Sequence, residues 1–199
     1  GAITLDANST GSRNTALGRA ALNSNTTASD NTSVGYNSLV VNTTGTGNTA
    51  VGSLALDANT TASYGTAIGF NVLTANTSGT NPTAVGAYAL SSNSTGDYNT
   101  ACGYSALELN TTGDQNTAVG HKSLEANTTA DNNTAVGYNS LTANTTGHSN
   151  VAVGGLALDA NTTGHSNTAV GYLSLSGETT GIRNTALGFH AGQVQDGAD

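Results

Sequence analysis

Glycine recurs every 17 residues along this chain, at positions 18, 35, 52, 69, 86, 103, 120, 137, 154, 171 and 188, and Gly1 extends the register to the first residue. No insertion or deletion interrupts it. Each of the eleven closes a pentapeptide of the form Asn-Thr-Ala-Val-Gly. A fixed period maintained over nearly the whole chain belongs to a solenoid, in which each unit contacts only its neighbours. Residues 1–191 therefore read as a single repeat domain, and 192–199, where the pattern dissolves, as an irregular tail.

Written in register, one unit runs from Asn133 to Ser149, and each of its positions becomes a column of stacked side chains. Thr-Ala-Val-Gly is short, β-branched and bounded by turn formers, which predicts a strand. Alternation sets Thr134 and Val136 on one face and Ala135 and Gly137 on the other. Both faces are uncharged in every unit, so both are expected to be buried, and the outer one then needs a second strand or a second chain. The Ser140-Leu141-Thr142-Ala143 segment reads as another strand with one face in. Leu holds its column from Leu5 to Leu175, whereas the next column varies through Asp57, Thr74, Glu108, Glu125 and Asp159. Gly or Ala closes that segment, and an Asn column, replaced by Gly65 and Pro82, precedes the next strand as a turn former. A weaker period of 34 sets Tyr36-Asn37, Phe70-Asn71 and Tyr138-Asn139 against Ser53-Leu54, Ala87-Tyr88 and Gly155-Leu156, as paired duplication or steric relief would. The expected fold is all-β, a parallel β-solenoid (β-roll) of about eleven 17-residue coils, roughly 55 Å long at strand spacing.

Composition narrows the function. Aromatic residues make up 5% of the chain, with no Trp or Met, so the interior must be narrow and filled by small side chains. A net charge of −8 without any basic stripe argues against nucleic acid as a partner. The apolar runs are too short for a membrane span, and the first residues lack the regions of a signal peptide. Cys102 stands in the Val column, where a buried, inert thiol is expected. No nucleophile elbow, phosphate loop or zinc pair occurs, so neither an enzyme nor a cofactor is expected.

Asn116-Thr117-Ala118-Val119-Gly120, followed by Ser123-Leu124 and Asn127-Thr128-Thr129, resembles the head repeats of trimeric autotransporter adhesins and related repeats in phage tail fibres and bacterial surface proteins. The resemblance implies a left-handed β-roll that trimerises about a shared axis, which would supply the partner for a doubly buried strand. It also implies an extracellular, cell-surface or virion-fibre location. Familiar adhesin heads often use a shorter repeat with Ser-Val-Ala-Ile-Gly, and no stalk or anchor follows here.

Two columns are candidate sites. The first is an outward Asn/Thr ladder of Asn8, Asn25, Asn42, Asn59, Asn76, Asn93, Asn110, Asn127, Asn144 and Asn161, with Thr27, Thr44, Thr61, Thr112, Thr129, Thr146 and Thr163 two residues on. Each Asn heads an Asn-x-Ser/Thr glycosylation motif, until Glu178 ends the column. Strands roughly 4.8 Å apart would crowd neighbouring glycans, and the plainer reading is a ladder pairing amides and hydroxyls between coils. A flat Asn/Thr lattice low in charge would also suit ice or a polymeric carbohydrate. The second column runs Asp97, Asp114, Asp131, His148 and His165, where stacked carboxylates could hold a cation or simply form a solvated edge; no metal is assigned. The expected role is a rigid, protease-resistant display rod, homotrimeric or joined end to end as a filament, with a host surface, carbohydrate or ice as possible ligand. The register already running at Gly1 suits either a segment of a longer fibre or a filament subunit.

Overall fold

The computed structural model describes residues 1–193, so all but Gly192 and Gln193 of the expected tail lies outside the described residues. Eleven three-residue strands occupy the repeat: β1 (Thr15–Leu17), β2 (Thr32–Val34), β3 (Thr49–Val51), β4 (Thr66–Ile68), β5 (Thr83–Val85), β6 (Thr100–Cys102), β7 (Thr117–Val119), β8 (Thr134–Val136), β9 (Val151–Val153), β10 (Thr168–Val170) and β11 (Thr185–Leu187). They form one parallel sheet in sequence order. Every pair is in the 17-residue register, as in Thr117↔Thr134 and Ala118↔Ala135. The chain is the expected parallel β-solenoid, one turn per repeat.

Within the single chain the strand is buried on one face and its other face is uncovered. Its central residue, Ala in ten strands and Ser33 in β2, points inward, and Ala50, Ala67, Ala84, Ala101, Ala118, Ala135, Ala152 and Ala169 are fully buried. The flanking Thr and Val point outward and are half-buried or exposed. Methyl-sized Ala lets the sheet close onto the Leu column across a thin interior. Cys102, expected to be buried, is exposed for the same reason: its column is the outer one.

The second segment is not a strand. Two residues in each coil, the second and the fourth after the glycine, sit at left-handed φ, for example Asn139 (53° at Asn37, 51° at Asn139) and Leu141 (52°). That pair of reversals winds the backbone tightly around the Leu side chain instead of extending it. L-residues in this region cost about 1–2 kcal/mol each, and the neighbouring coils offset the cost by satisfying the backbone. The Lys122 N–H donates to the carbonyl of Tyr104 in the coil before, and the Leu124 N–H to that of Ser140 in the coil after. The expected sidedness holds. Leu22, Leu39, Leu73, Leu90, Leu107, Leu124, Leu141 and Leu158 are completely buried, while Glu125 beside them is partly exposed and pairs with Lys122 at 2.9 Å.

Leu124→Ala is accordingly expected to cost about 2–5 kcal/mol. Glu125→Ala, which removes only a surface ion pair, should cost under about 1 kcal/mol. Chemical denaturation of both variants measures the difference, and equal losses would contradict the inward Leu column.

Candidate functional site

The Asn ladder expected on the surface lies inside the coil. Asn25, Asn42, Asn59, Asn76, Asn93, Asn110, Asn127, Asn144 and Asn161 are all completely buried, and Asn8 in the first coil is partly so. Each amide nitrogen from Asn25 upward donates twice. Asn110 Nδ2 donates to Asn93 Oδ1 of the coil before at 2.8 Å and to the Gly113 carbonyl of its own coil at 3.0 Å. Its own Oδ1 accepts from Asn127 at 2.9 Å. The bonds between coils make a continuous amide chain along the interior, and those within each coil clamp the turn. Buried amides must find partners, and facing another copy of themselves one rung away supplies them. Asn161 Oδ1 ends the chain unpaired, because the next rung carries Glu178, whose carboxylate instead accepts the Gly181 N–H at 2.8 Å.

A second interior ladder comes from the column assigned to turn chemistry. Asn116 Nδ2 donates to the Ala130 carbonyl in the next coil at 2.8 Å, and its Oδ1 accepts the Asn133 N–H at 3.0 Å. The two exceptions fit each other. Gly65 has no side-chain oxygen to offer, and the residue above it, Pro82, has no N–H to satisfy. Pro82 has no side-chain oxygen either, so the buried Asn99 N–H in the next rung lacks the acceptor that Asn116 and Asn133 find, and the ladder is interrupted there.

The threonines of the expected lattice part company with the asparagines. Thr27, Thr44, Thr61, Thr112, Thr129, Thr146 and Thr163 are exposed, so Asn144 and Thr146 do not project together and no outward Asn/Thr surface exists. The segment between them is a bend rather than a strand, which removes the period-2 alternation the expectation relied on. Burial likewise withdraws the ladder's glycosylation motifs from the folded surface. Among the described residues, Asn132 alone heads an Asn-x-Thr with its side chain exposed and a middle residue other than Pro, which rules out Asn81.

The acidic column is occupied with backbone bonding. Oδ1 of Asp97, Asp114 and Asp131 accepts the N–H of Thr80, Asp97 and Asp114 respectively, each at 2.7 Å. His148 and His165 stack above them with ring centroids 4.7 Å apart. The described residues contain no cluster of three or more His, Cys, Asp or Glu able to hold a metal ion. They also enclose no cavity, and none of them forms a helix able to cross a membrane.

Along the corner after the glycine runs an aromatic strip: Phe70, Tyr88, Tyr104, His121 and Tyr138 contact in succession at centroid distances of 5.3–5.8 Å. Tyr88 reaches into the strip from one position further along the chain, beside the small Ala87. A Cβ on Gly155 would lie 3.3 Å from the Tyr172 ring, so the small residue makes room for its bulky neighbour. Such relief is local to Gly155, since Tyr104, His121 and Tyr138 carry rings at the same position in three successive coils and stack.

Two acids on the surface have their carboxyls pushed up by burial, Asp57 and Asp159. Each has an Oδ1 that is buried without a partner. A carboxyl raised in the fold binds its proton more tightly there than in the unfolded chain, so its contribution to stability is complete at low pH and is lost as pH rises through the raised value. Asp30 is shifted the other way by Arg13, but both are fully exposed and solvent screens the pair. The melting temperature is therefore expected to rise as pH falls from about 7 towards 4, and the double variant Asp57→Asn, Asp159→Asn should flatten that slope. Unchanged slopes in thermal melts of the two proteins would exclude these carboxyls as the cause.

No protein-family model, curated protein or solved structure matches the chain, and its likeness to adhesin heads rests on the repeat pattern alone.

Proposed function

We propose that the chain is a structural segment of an extracellular fibre, a stiff rod that spaces or presents other parts. The observation that supports this is the pair of amide ladders running through its interior together with unbroken in-register pairing of all eleven strands. Apart from Gly65, Pro82 and the terminal Glu178, the rungs repeat the same contacts, so the molecule resists bending and offers a protease few loops to open. Ten rung intervals at strand spacing give a rod of roughly 50 Å. Small-angle scattering tests the shape and limited proteolysis the rigidity: a compact particle, or rapid cleavage within the repeats, would defeat the proposal.

Trimerisation, which the resemblance implies, has its own test. Parallel copies meeting through their strand faces about one axis would bring each Cys102 to the same level, so mild oxidation would join pairs of chains. Light scattering would then give three times the chain mass. A monomer that does not cross-link leaves the rod as a single chain.

A further inference from the structure

We propose that the outer face of the eleven-stranded sheet binds ice. Its two columns are Thr15, Thr32, Thr49 and their successors, and Leu17, Val34, Val51 and theirs, with Val151 the one break in the first column and Cys102 the one non-aliphatic residue in the second. None of these positions is charged, amidic or aromatic. The strand threonine hydroxyls form no hydrogen bond within the described residues. Neither does the second threonine of each turn, such as Thr129, but only the strand column stands beside a row of aliphatic side chains. The first turn threonine is consumed by the next coil, as Thr111 donates to the Thr128 carbonyl at 2.9 Å and Thr162 to that of Thr179 at 3.1 Å. The strand face thus presents a row of free donors and acceptors beside a row of branched methyl groups.

The array is fixed before any ligand arrives. The buried Ala column and the interstrand bonds hold the backbone, as in the Thr117 N–H to the Asn133 carbonyl at 2.8 Å, and β-branched side chains have few χ1 states to lose. Its repeat of about 4.8 Å between rungs is close to an oxygen repeat of hexagonal ice. Hydroxyls can take lattice waters as partners while the methyls sit in the cages between them. A second copy on the same face would have to bury those hydroxyls and could meet them only with its own Thr column, hydroxyl to hydroxyl, which demands that the two columns face each other in register. A polysaccharide is less suited, because the face lacks the aromatic platforms and paired amides that grip sugar rings.

The proposal does not depend on the fibre role, and it excludes a trimer packed through this face. The full chain is assayed for thermal hysteresis, ice-crystal shaping and uptake into a slowly growing ice front, each measured against a non-binding protein of similar size. Wild type is expected to shape crystals and to be retained in the ice. Thr117→Tyr and Thr134→Tyr, at mid-face, should lose both effects, with circular dichroism reporting the fold; Thr129→Tyr, on the exposed turn column, should keep them. Wild-type protein excluded from ice overturns the proposal whether or not any variant folds, and so does equal loss in the Thr129 variant. A trimeric mass that Thr117→Tyr reduces to a monomer would also overturn it, by making the face an interface between copies, and would leave the rod standing.

Discussion

Asn110→Asp should be among the most damaging single-atom changes in this protein, destabilising it by about 3–5 kcal/mol at neutral pH. The substitution replaces a nitrogen that donates to Asn93 Oδ1 and the Gly113 carbonyl by an oxygen facing the same two acceptors. An ionised carboxylate at a completely buried site has no cation to pair with, and a protonated one can donate to only one of the two. The damage should therefore shrink as pH falls, opposite in origin to any loss of surface ion pairs. Asn110→Ala should be milder, since Asn127, deprived of its acceptor on Asn110, still donates to the Ala130 carbonyl at 3.0 Å. Because each coil holds only its neighbours, a broken rung near the middle should also uncouple the two halves and broaden the unfolding transition. Urea melts of the Asp and Ala variants at neutral and acid pH measure all three effects. An Asp variant no worse than Ala at neutral pH would show that the ladder is open to water.

The period, the strand and the inward Leu column were legible because they depend on composition in single columns: an invariant Gly, a β-branched triplet and an unbroken Leu. The orientation of Asn was not, because polarity suggests exposure and only stacking makes burial tolerable. An isolated Asn cannot enter a core at low cost, but one repeated at every rung carries its partner with it. The left-handed turns were hidden for a related reason. Asn37, Asn71 and Asn139 hint at positive φ, yet the eleven Leu residues two positions later argue locally against it, and only bonding between coils overrides them. The outer strand face, read as covered by a partner, is uncovered in the single chain, where its Thr column leaves it open to water.

Gly120→Ala should rival the Asp substitution, and comparison with Gly188→Ala separates its two causes. Both glycines lie at φ values that side chains rarely adopt, 135° and 124°, a conformational cost of about 1–3 kcal/mol in either place. At Gly120 the new methyl would also lie 2.3 Å from the Gly137 carbonyl oxygen and 2.7 Å from its carbon, atoms of the next coil's backbone that cannot swing aside as a side chain would. At Gly188, in the last described coil, the same methyl meets only the Ala191 Cβ, at 4.0 Å. Gly120→Ala must therefore push two coils apart at the sheet corner, stretching bonds such as Gly137 N–H to the Val119 carbonyl, 2.8 Å in the intact rod. It should lower the melting temperature well beyond Gly188→Ala. Near-equal shifts would assign the whole requirement for glycine to backbone conformation and none to the closeness of the coils.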